Sequence, residues 1–211
     1  MIITIDGPVA SGKSSVAKIL AKELNMYYLY TGMLYRAVAH VLLQEKHTQD
    51  DLSWIKNISY TYQNSKPHVF FNNEEITDKL NHFSLDKKAS IVSADKNVRA
   101  ALLDLQRDIA KENDVIADGR DCGSVVFPNA DFKFYLTASV DARAKRVMSD
   151  PARGERVKDI EEIKKEIEER DKRDSERDVA PLSIPKNAIV VDSSNLTFDE
   201  TVQEFLSVVQ K

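Results

Sequence analysis

Cysteine is almost missing from this chain: Cys122 is the single thiol in 211 residues, which excludes an internal disulfide and a Cys-rich zinc site. The four histidines, His40, His47, His68 and His82, lack ligand-type spacing, and each reads as a surface or packing residue. No apolar run approaches the ~20 residues of a membrane span. The chain starts directly on a strand pattern with no room for a signal peptide, so a cytoplasmic protein without a membrane partner is expected. An excess of positive charge is lacking too. With a net charge of −4, an isoelectric point of about 5.7 and no basic, aromatic-rich stripe, nothing favours nucleic acid or an anionic surface as partner. Any phosphate must be met by locally placed cations. An NKxD stretch, which would read a guanine base in a nucleotide switch, does not occur.

What is present is a chain of 42% hydrophobic and 30% charged residues, enough for one globular core with a small insertion. It is organised around Gly7, Pro8, Val9, Ala10, Ser11, Gly12, Lys13 and Ser14, with Ser15 behind them. The apolar run Ile2 to Ile5 precedes this GxxxxGK[ST] loop, and a helical pattern through Val16, Ala17, Leu20 and Leu24 follows it. Glycines let backbone N–H groups turn inward onto a polyphosphate, and the helix N-terminus adds partial positive charge. Lys13 offers a point charge to the β- and γ-phosphates and Ser14 a hydroxyl to magnesium. A nucleoside triphosphate and Mg2+ are the implied cofactors. The strand before and the helix after argue against a chance match in an ordinary glycine turn.

A strand–helix rhythm continues along the chain. Met26 to Leu29 reads as a buried strand, and Thr31-Gly32 opens a helix through Leu34, Ala37, Val38, Val41 and Leu42. Between Asn57 and Leu80 the period changes: Ile58, Tyr60 and Tyr62 alternate, Asn64-Ser65-Lys66-Pro67 makes a turn, and Val69-Phe70-Phe71 runs to a second turn at Asn72-Asn73. This predicts a small antiparallel meander inserted between helices. Apolar positions from Leu85 to Glu112 predict two helices broken near Ser93-Ala94-Asp95. Val115-Ile116-Ala117, Phe132 to Leu136 and Ala188 to Val191 supply three more strands, with Asp118 to Asp121 as a polar turn. Five strands alternating with helices predict an α/β fold with a five-stranded parallel sheet covered on both faces. Thr197 to Glu200 fits a capping box for the last helix.

Arg156 to Asp178 is the most charged segment, with solvent-face pairs such as Glu161 and Lys165. On a helical wheel Arg170 falls about 20° and Arg177 about 40° from Ile163, on the stripe defined by Ile163 and Ile167. If the helix continues that far, these arginines point inward. Unpaired buried guanidinium groups are costly, so the stripe implies an anionic partner; the alternative is a structural network with Asp171, Asp174 and Asp178. Phosphoryl transfer needs one cation set for the donor and another for the acceptor. Lys13 serves the first, and Arg36, Arg120 and the stripe are candidates for the second.

The stretches "IITIDGPVASGKSSVAK", "TGMLYR", "VRAALLDLQR", "VIADGRDCGSVVFPNAD" and "EIEERDKRDSERDVAPL" resemble, in order and spacing, the bacterial cytidylate kinases of the nucleoside monophosphate kinase group. The likeness covers essentially the whole chain, and "ADGRD" with "ERD.RD" and "APL" is far more specific than the phosphate loop. It implies transfer of the γ-phosphoryl of ATP to CMP or dCMP by a monomer. It also implies a monophosphate-binding insertion over residues 57–80 and a helical lid over 148–158. By the same resemblance Ser90, Arg99 and Asp121 surround the pyrimidine, Arg36, Arg120 and Arg177 hold the acceptor phosphate, and Arg170 and Asp174 lie near the sugar. Thr31 and Tyr35 belong to the acceptor side, and Lys13, Arg120, Arg170 and Arg177 form the catalytic set. Arg143, Arg146, Arg153 and Arg156 lie on or beside the lid, where one or more could reach the donor phosphates. Two positions depart from the family pattern: Tyr30 replaces a usual acidic residue, and Cys122 a common methionine, where a small buried thiol is expected. The alternatives are a kinase of the same build for UMP, AMP or another small acceptor, a nucleotide-binding switch without transfer, and a nucleic-acid-associated ATPase.

Overall fold

Short β-branched and aromatic runs bounded by turn residues become strands, and the 3.6-residue apolar stripes between them become helices. The computed structural model describes residues 1–44, 47–48, 50–81, 84–150 and 159–210. Strand β1 (Ile2–Asp6) leads through the glycine loop into α1 (Lys13–Glu23), and β2 (Tyr27–Tyr30) into α2 (Thr31–Leu43). The meander β3 (Ile58–Gln63), β4 (Lys66–Phe71) and β5 (Glu74–Glu75) precedes α3 (Ser84–Val92) and α4 (Lys96–Glu112). Then come β6 (Val115–Gly119), β7 (Phe132–Thr137), α5 (Val140–Met148), α6 (Ile160–Glu176), β8 (Ile189–Asp192) and α7 (Phe198–Val209).

Five of these strands form one parallel sheet in the order β2-β6-β1-β7-β8, and β3, β4 and β5 form a separate antiparallel sheet. Alternation splits the core in two. Leu29, Val115 and Ala117 face one way, against Leu34 and Val38 of α2, Val92 of α3 and Leu102 of α4. Ile3, Ile5, Ile116, Phe134 and Leu136 face Val16 and Leu20 of α1 and Phe205 of α7, whose ring lies 4.5 Å from that of Phe134. Helices therefore cover both faces, as near-continuous apolar strands require. The edge at β2 is tied to the insertion: the Tyr60 hydroxyl donates to the Tyr28 carbonyl (2.8 Å) and accepts from the Tyr30 N–H (3.0 Å). Among the described residues no helix is long and apolar enough to cross a membrane.

Several boundaries differ from the sequence reading. The first hairpin turn is only Asn64-Ser65, both at positive φ (52° and 58°), and Lys66 and Pro67 already belong to β4. Pro67 is tolerated because it pairs with Tyr62, next to the closing Gln63–Lys66 pair, at a position where the ladder calls for no N–H. Strand β2 runs one residue later than expected, Tyr27–Tyr30. Asp118 and Gly119 belong to β6, and the chain then winds into a short π-helical turn, Cys122–Val126. Helix α6 stops at Glu176, so Arg177 lies beyond it in extended conformation (ψ 142°). Lys164, not Lys165, pairs with Glu161, at 2.8 Å, and also reaches Asp141 of α5 at 2.6 Å. The expected break before α4 is present, with Asp95 capping Asn97 and Val98, and α7 has the capping box of Thr197 and Glu200. Of the segment 148–158, residues 151–158, with Arg153 and Arg156, lie outside the described residues.

Candidate active site

The parallel strands end at one edge, and there the loops enclose a cleft of about 490 Å³. The phosphate loop forms one wall. Gly7 sits at φ 150°, and a Cβ there would come within 2.0 Å of the Leu136 carbonyl, so only glycine lets the loop cross β7. Gly12 caps α1 at φ 98°, which again favours glycine. Val9 is clamped at both backbone groups, its N–H donating to Asp171 (3.0 Å) and its carbonyl accepting from Arg143 (3.0 Å), while Arg143 and Asp171 pair with each other. Arg143 is thus committed to holding the loop's shape. Arg146 is likewise engaged, donating to the Ser11 carbonyl and to both oxygens of Ser193.

Lys13 is buried, its ammonium donating to the Pro8 carbonyl (2.6 Å) and to the Ser11 hydroxyl (3.3 Å). Burial, with Arg120 next in effect, holds its pKa well below the usual lysine value, so an anion in the cleft would stabilise its charge. Ser14 Oγ donates to the Asp118 carboxylate at 2.7 Å, and Tyr28 OH to its other oxygen at 2.9 Å. Burial raises the pKa of Asp118, opposed by the Ser14 hydrogen bond and Lys13. Thr31 Oγ1 donates to the Asp118 carbonyl (2.7 Å). Neither Asp118 nor Tyr28 stands out in the sequence as a site residue. The same holds for Asp6, fully buried, which accepts the N–H groups of Cys122 (2.8 Å) and Gly123 (2.7 Å) and ties the root of the phosphate loop to the turn after β6.

The opposite wall gathers the expected acceptor-side residues. Arg99 pairs with Asp121, donates to the Ser93 carbonyl (3.0 Å) and lies 5.3 Å from the centre of the Tyr35 ring. Arg177 reaches the other oxygen of Asp121 at 3.4 Å and donates to the Ala180 carbonyl at 2.6 Å. Arg120 pairs with Asp174 at 2.8 Å, and Arg36 with Asp86 at 2.6 Å. Ser90 Oγ and Arg170 Nε are buried without a hydrogen-bond partner among the described residues. The structural network therefore exists but is assigned differently: Asp174 serves Arg120 and Asp171 serves Arg143, leaving Arg170 with an unmet donor. Of the expected residues, Gly7, Pro8 and Ser11 do not line the cleft; Val9, Ala10, Gly12, Lys13, Ser14 and Ser15 line its donor side. Thr31, Tyr35, Arg36, Ser90, Arg99, Arg120, Asp121, Arg170, Asp174 and Arg177 line the rest. A second hollow of about 410 Å³ lies behind the loop, bounded by Gly12, Ser15, Arg146, Ser193, Leu196 and Phe198.

The family model described as cytidylate kinase matches residues 3–211. The chain belongs to the cytidylate kinase family. It is 40% identical over 215 residues to the cytidylate kinase of Geobacillus sp. (strain WCH70), covering 99% of this chain and 96% of that one. It is 39% identical over 217 residues to that of Bdellovibrio bacteriovorus, covering 100% and 98%. Among solved structures, the shikimate kinase of Bacteroides thetaiotaomicron superposes with a TM-score of 0.53 at 9% identity, covering 100% of this chain and 99% of that one, which speaks for the fold alone. Tyr30 stacks on Tyr28 (6.0 Å between ring centres) at the edge of the cleft. Cys122 is buried, its thiol pushed well up by burial, in keeping with a packing role.

Proposed function

We propose that the protein transfers the γ-phosphoryl group of ATP to CMP or dCMP, giving ADP and CDP or dCDP. Membership of the cytidylate kinase family supports the reaction. The observation that carries the acceptor base is the buried trio of Arg99, Asp121 and Ser90 in the same cleft as the phosphate loop. Cytosine presents an amine donor beside a ring nitrogen and a carbonyl that accept. Asp121 accepts from the amine, Arg99 donates to the ring nitrogen and carbonyl, and Ser90 Oγ takes up the amine's remaining hydrogen.

Transfer is then a matter of position and charge. Arg36, Arg120 and Arg177 hold the acceptor phosphate, and Arg170, with its unmet Nε, meets negative charge between the two nucleotides near Asp174. Lys13 stabilises charge building near the β–γ bridge. The donor triphosphate lies in the glycine loop. Ser14 and Asp118 are hard oxygen ligands side by side at its mouth, which fits Mg2+, an ion that takes one or two protein ligands and otherwise phosphates and water. When bound, the ion would neutralise phosphate charge. Residues 57–80 serve as the monophosphate-binding insertion and 148–158 as the lid, in a monomer of the cytoplasm.

A coupled assay of ADP formation with CMP, dCMP, UMP and AMP in parallel tests the reading. Turnover of CMP and dCMP well above the other two is expected. Equal specificity constants for UMP or AMP would reassign the acceptor, and ADP formation without any monophosphate would point to a switch or motor.

A further inference from the structure

Helix α3 contributes two polar groups to the cleft on one face, Asp86 and Ser90, four residues and so about 6 Å of helix apart. Leu85 and Ala89 bury the adjoining face of the helix in the core that includes α2, so both groups are held by packing. Ser90 stands at the end of the cleft with Arg99 and Asp121. Asp86 stands one turn earlier, beside Arg36 and within electrostatic reach of Arg170. Its carboxylate binds Arg36 Nη2 at 2.6 Å, while Arg36 Nη1 donates to the Leu80 carbonyl at 3.3 Å. It also favours the charged form of Arg170, which burial and Arg120 oppose.

We propose that Asp86 is a positioning residue that competes with the acceptor's phosphate for Arg36: it aligns the guanidinium from inside the protein and sets how tightly the cleft takes any phosphate-bearing molecule. The inference rests on the functional reading above. Fixed between a carbonyl and a carboxylate, Arg36 presents one orientation, so little rotamer entropy remains to be lost when an anion arrives. The side chains are 21% and 22% exposed, and the Asp86 oxygen that meets Arg36 is itself buried, so a dissolved anion meets the pair from the Arg36 side, in the cleft. A phosphate monoester carries up to two negative charges against one on Asp86, so it wins the arginine. It does so against a standing competitor, which weakens binding and eases departure of the diphosphate product.

The test is Asp86→Asn, with Asp86→Glu as the charge-retaining control, measuring CMP affinity, competition by inorganic phosphate, and kcat and KM separately. Removing a partly solvated competitor should tighten both CMP and inorganic phosphate by a common factor of roughly three to ten, lowering KM without raising kcat. Asp86→Glu should lie close to the parent. Weaker CMP binding with phosphate unchanged would overturn the proposal by making Asp86 a contact to the nucleoside. Unchanged constants in a parent that turns over CMP would overturn it alone, as an inert ion pair. A parent that turns over no nucleoside monophosphate would overturn the functional reading first and this proposal with it.

Discussion

Arg99 and Asp121 form an ion pair with both side chains 7% exposed, and Arg177 approaches the second oxygen of the same carboxylate at 3.4 Å. One carboxylate thus balances two guanidinium groups and offers an acceptor next to a donor. Uracil reverses cytosine's amine and ring nitrogen, setting a carbonyl against the carboxylate and an N–H against Arg99. Unsatisfied buried charge costs several kcal/mol, so the parent should prefer CMP and dCMP to UMP by orders of magnitude. Asp121→Asn should narrow the ratio of specificity constants, because an amide can turn its N–H toward a carbonyl. The variant should also lose stability, on the order of 3 kcal/mol, since two buried cations lose their counter-charge. Loss of both substrates in equal proportion would refute the assignment.

Arg170 and Arg177 should behave differently from each other. Arg170 has an unmet donor, and Asp174 keeps Arg120 as its partner without it, so Arg170→Met keeps stem packing, removes the buried unsatisfied N–H and should leave stability level or higher while turnover collapses. Arg177 holds the Ala180 carbonyl and Asp121, so Arg177→Met should cost about 1–3 kcal/mol in urea unfolding in addition to activity. Equal stability loss in both variants would contradict this division.

Lys13→Ala should lower kcat far more than it loosens ATP, by about 2–4 kcal/mol of transition-state stabilisation. Turnover within a few-fold of the parent would remove Lys13 from the chemistry.

The pH dependence of stability should carry the mark of Asp6. Burial, with a smaller push from Asp121, raises its carboxyl to about 6 from an ordinary 3.8, against the Gly123 and Cys122 N–H groups and Lys13. A raised folded pKa means that the folded protein holds the proton more tightly than the unfolded chain. Its contribution is therefore complete below pH 3.8 and is lost as pH rises through about 6, a difference of about 3 kcal/mol. Asp118 is shifted the same way, whereas the depressed carboxyl of Asp174 acts in the opposite sense at lower pH. Urea midpoints should rise from pH 7.5 to 5.5 in the parent, and Asp6→Asn should flatten that slope. An identical slope in the variant would count against the shift.

The parts of the fold and site that were legible in the sequence are those governed by local rules. The apolar run from Ile2 to Ile5, the helical stripe of α2, the capping box at Thr197 and the phosphate loop each need only a few neighbouring residues. Partner choices across the chain were not legible. Tyr28 and Asp118 are 90 positions apart, Ser14 and Asp118 104, Asp6 and Cys122 116, and nothing local marks those carboxylates as different from surface ones. The wheel aimed Arg170 correctly because α6 is regular there. It reached Arg177 only by assuming a helix that ends at Glu176, and that residue is buried by the turn of the chain instead. Arg143 and Arg146 read as cations on or beside a lid that could reach the donor phosphates, because charge and position there say nothing about the Val9 and Ser11 carbonyls that accept from them.

Asp6 stands directly across the ladder from Gly119, so the loop leaving β1 and the turn leaving β6 start from facing rungs. Neighbouring strands keep a spacing of about 4.8 Å that side chains do not alter. The backbone of the sheet therefore sets the separation at which these two segments leave for the cleft. Substitutions in α3 or in the β3–β5 meander can reshape the side chains around the cleft while that starting separation stays the same.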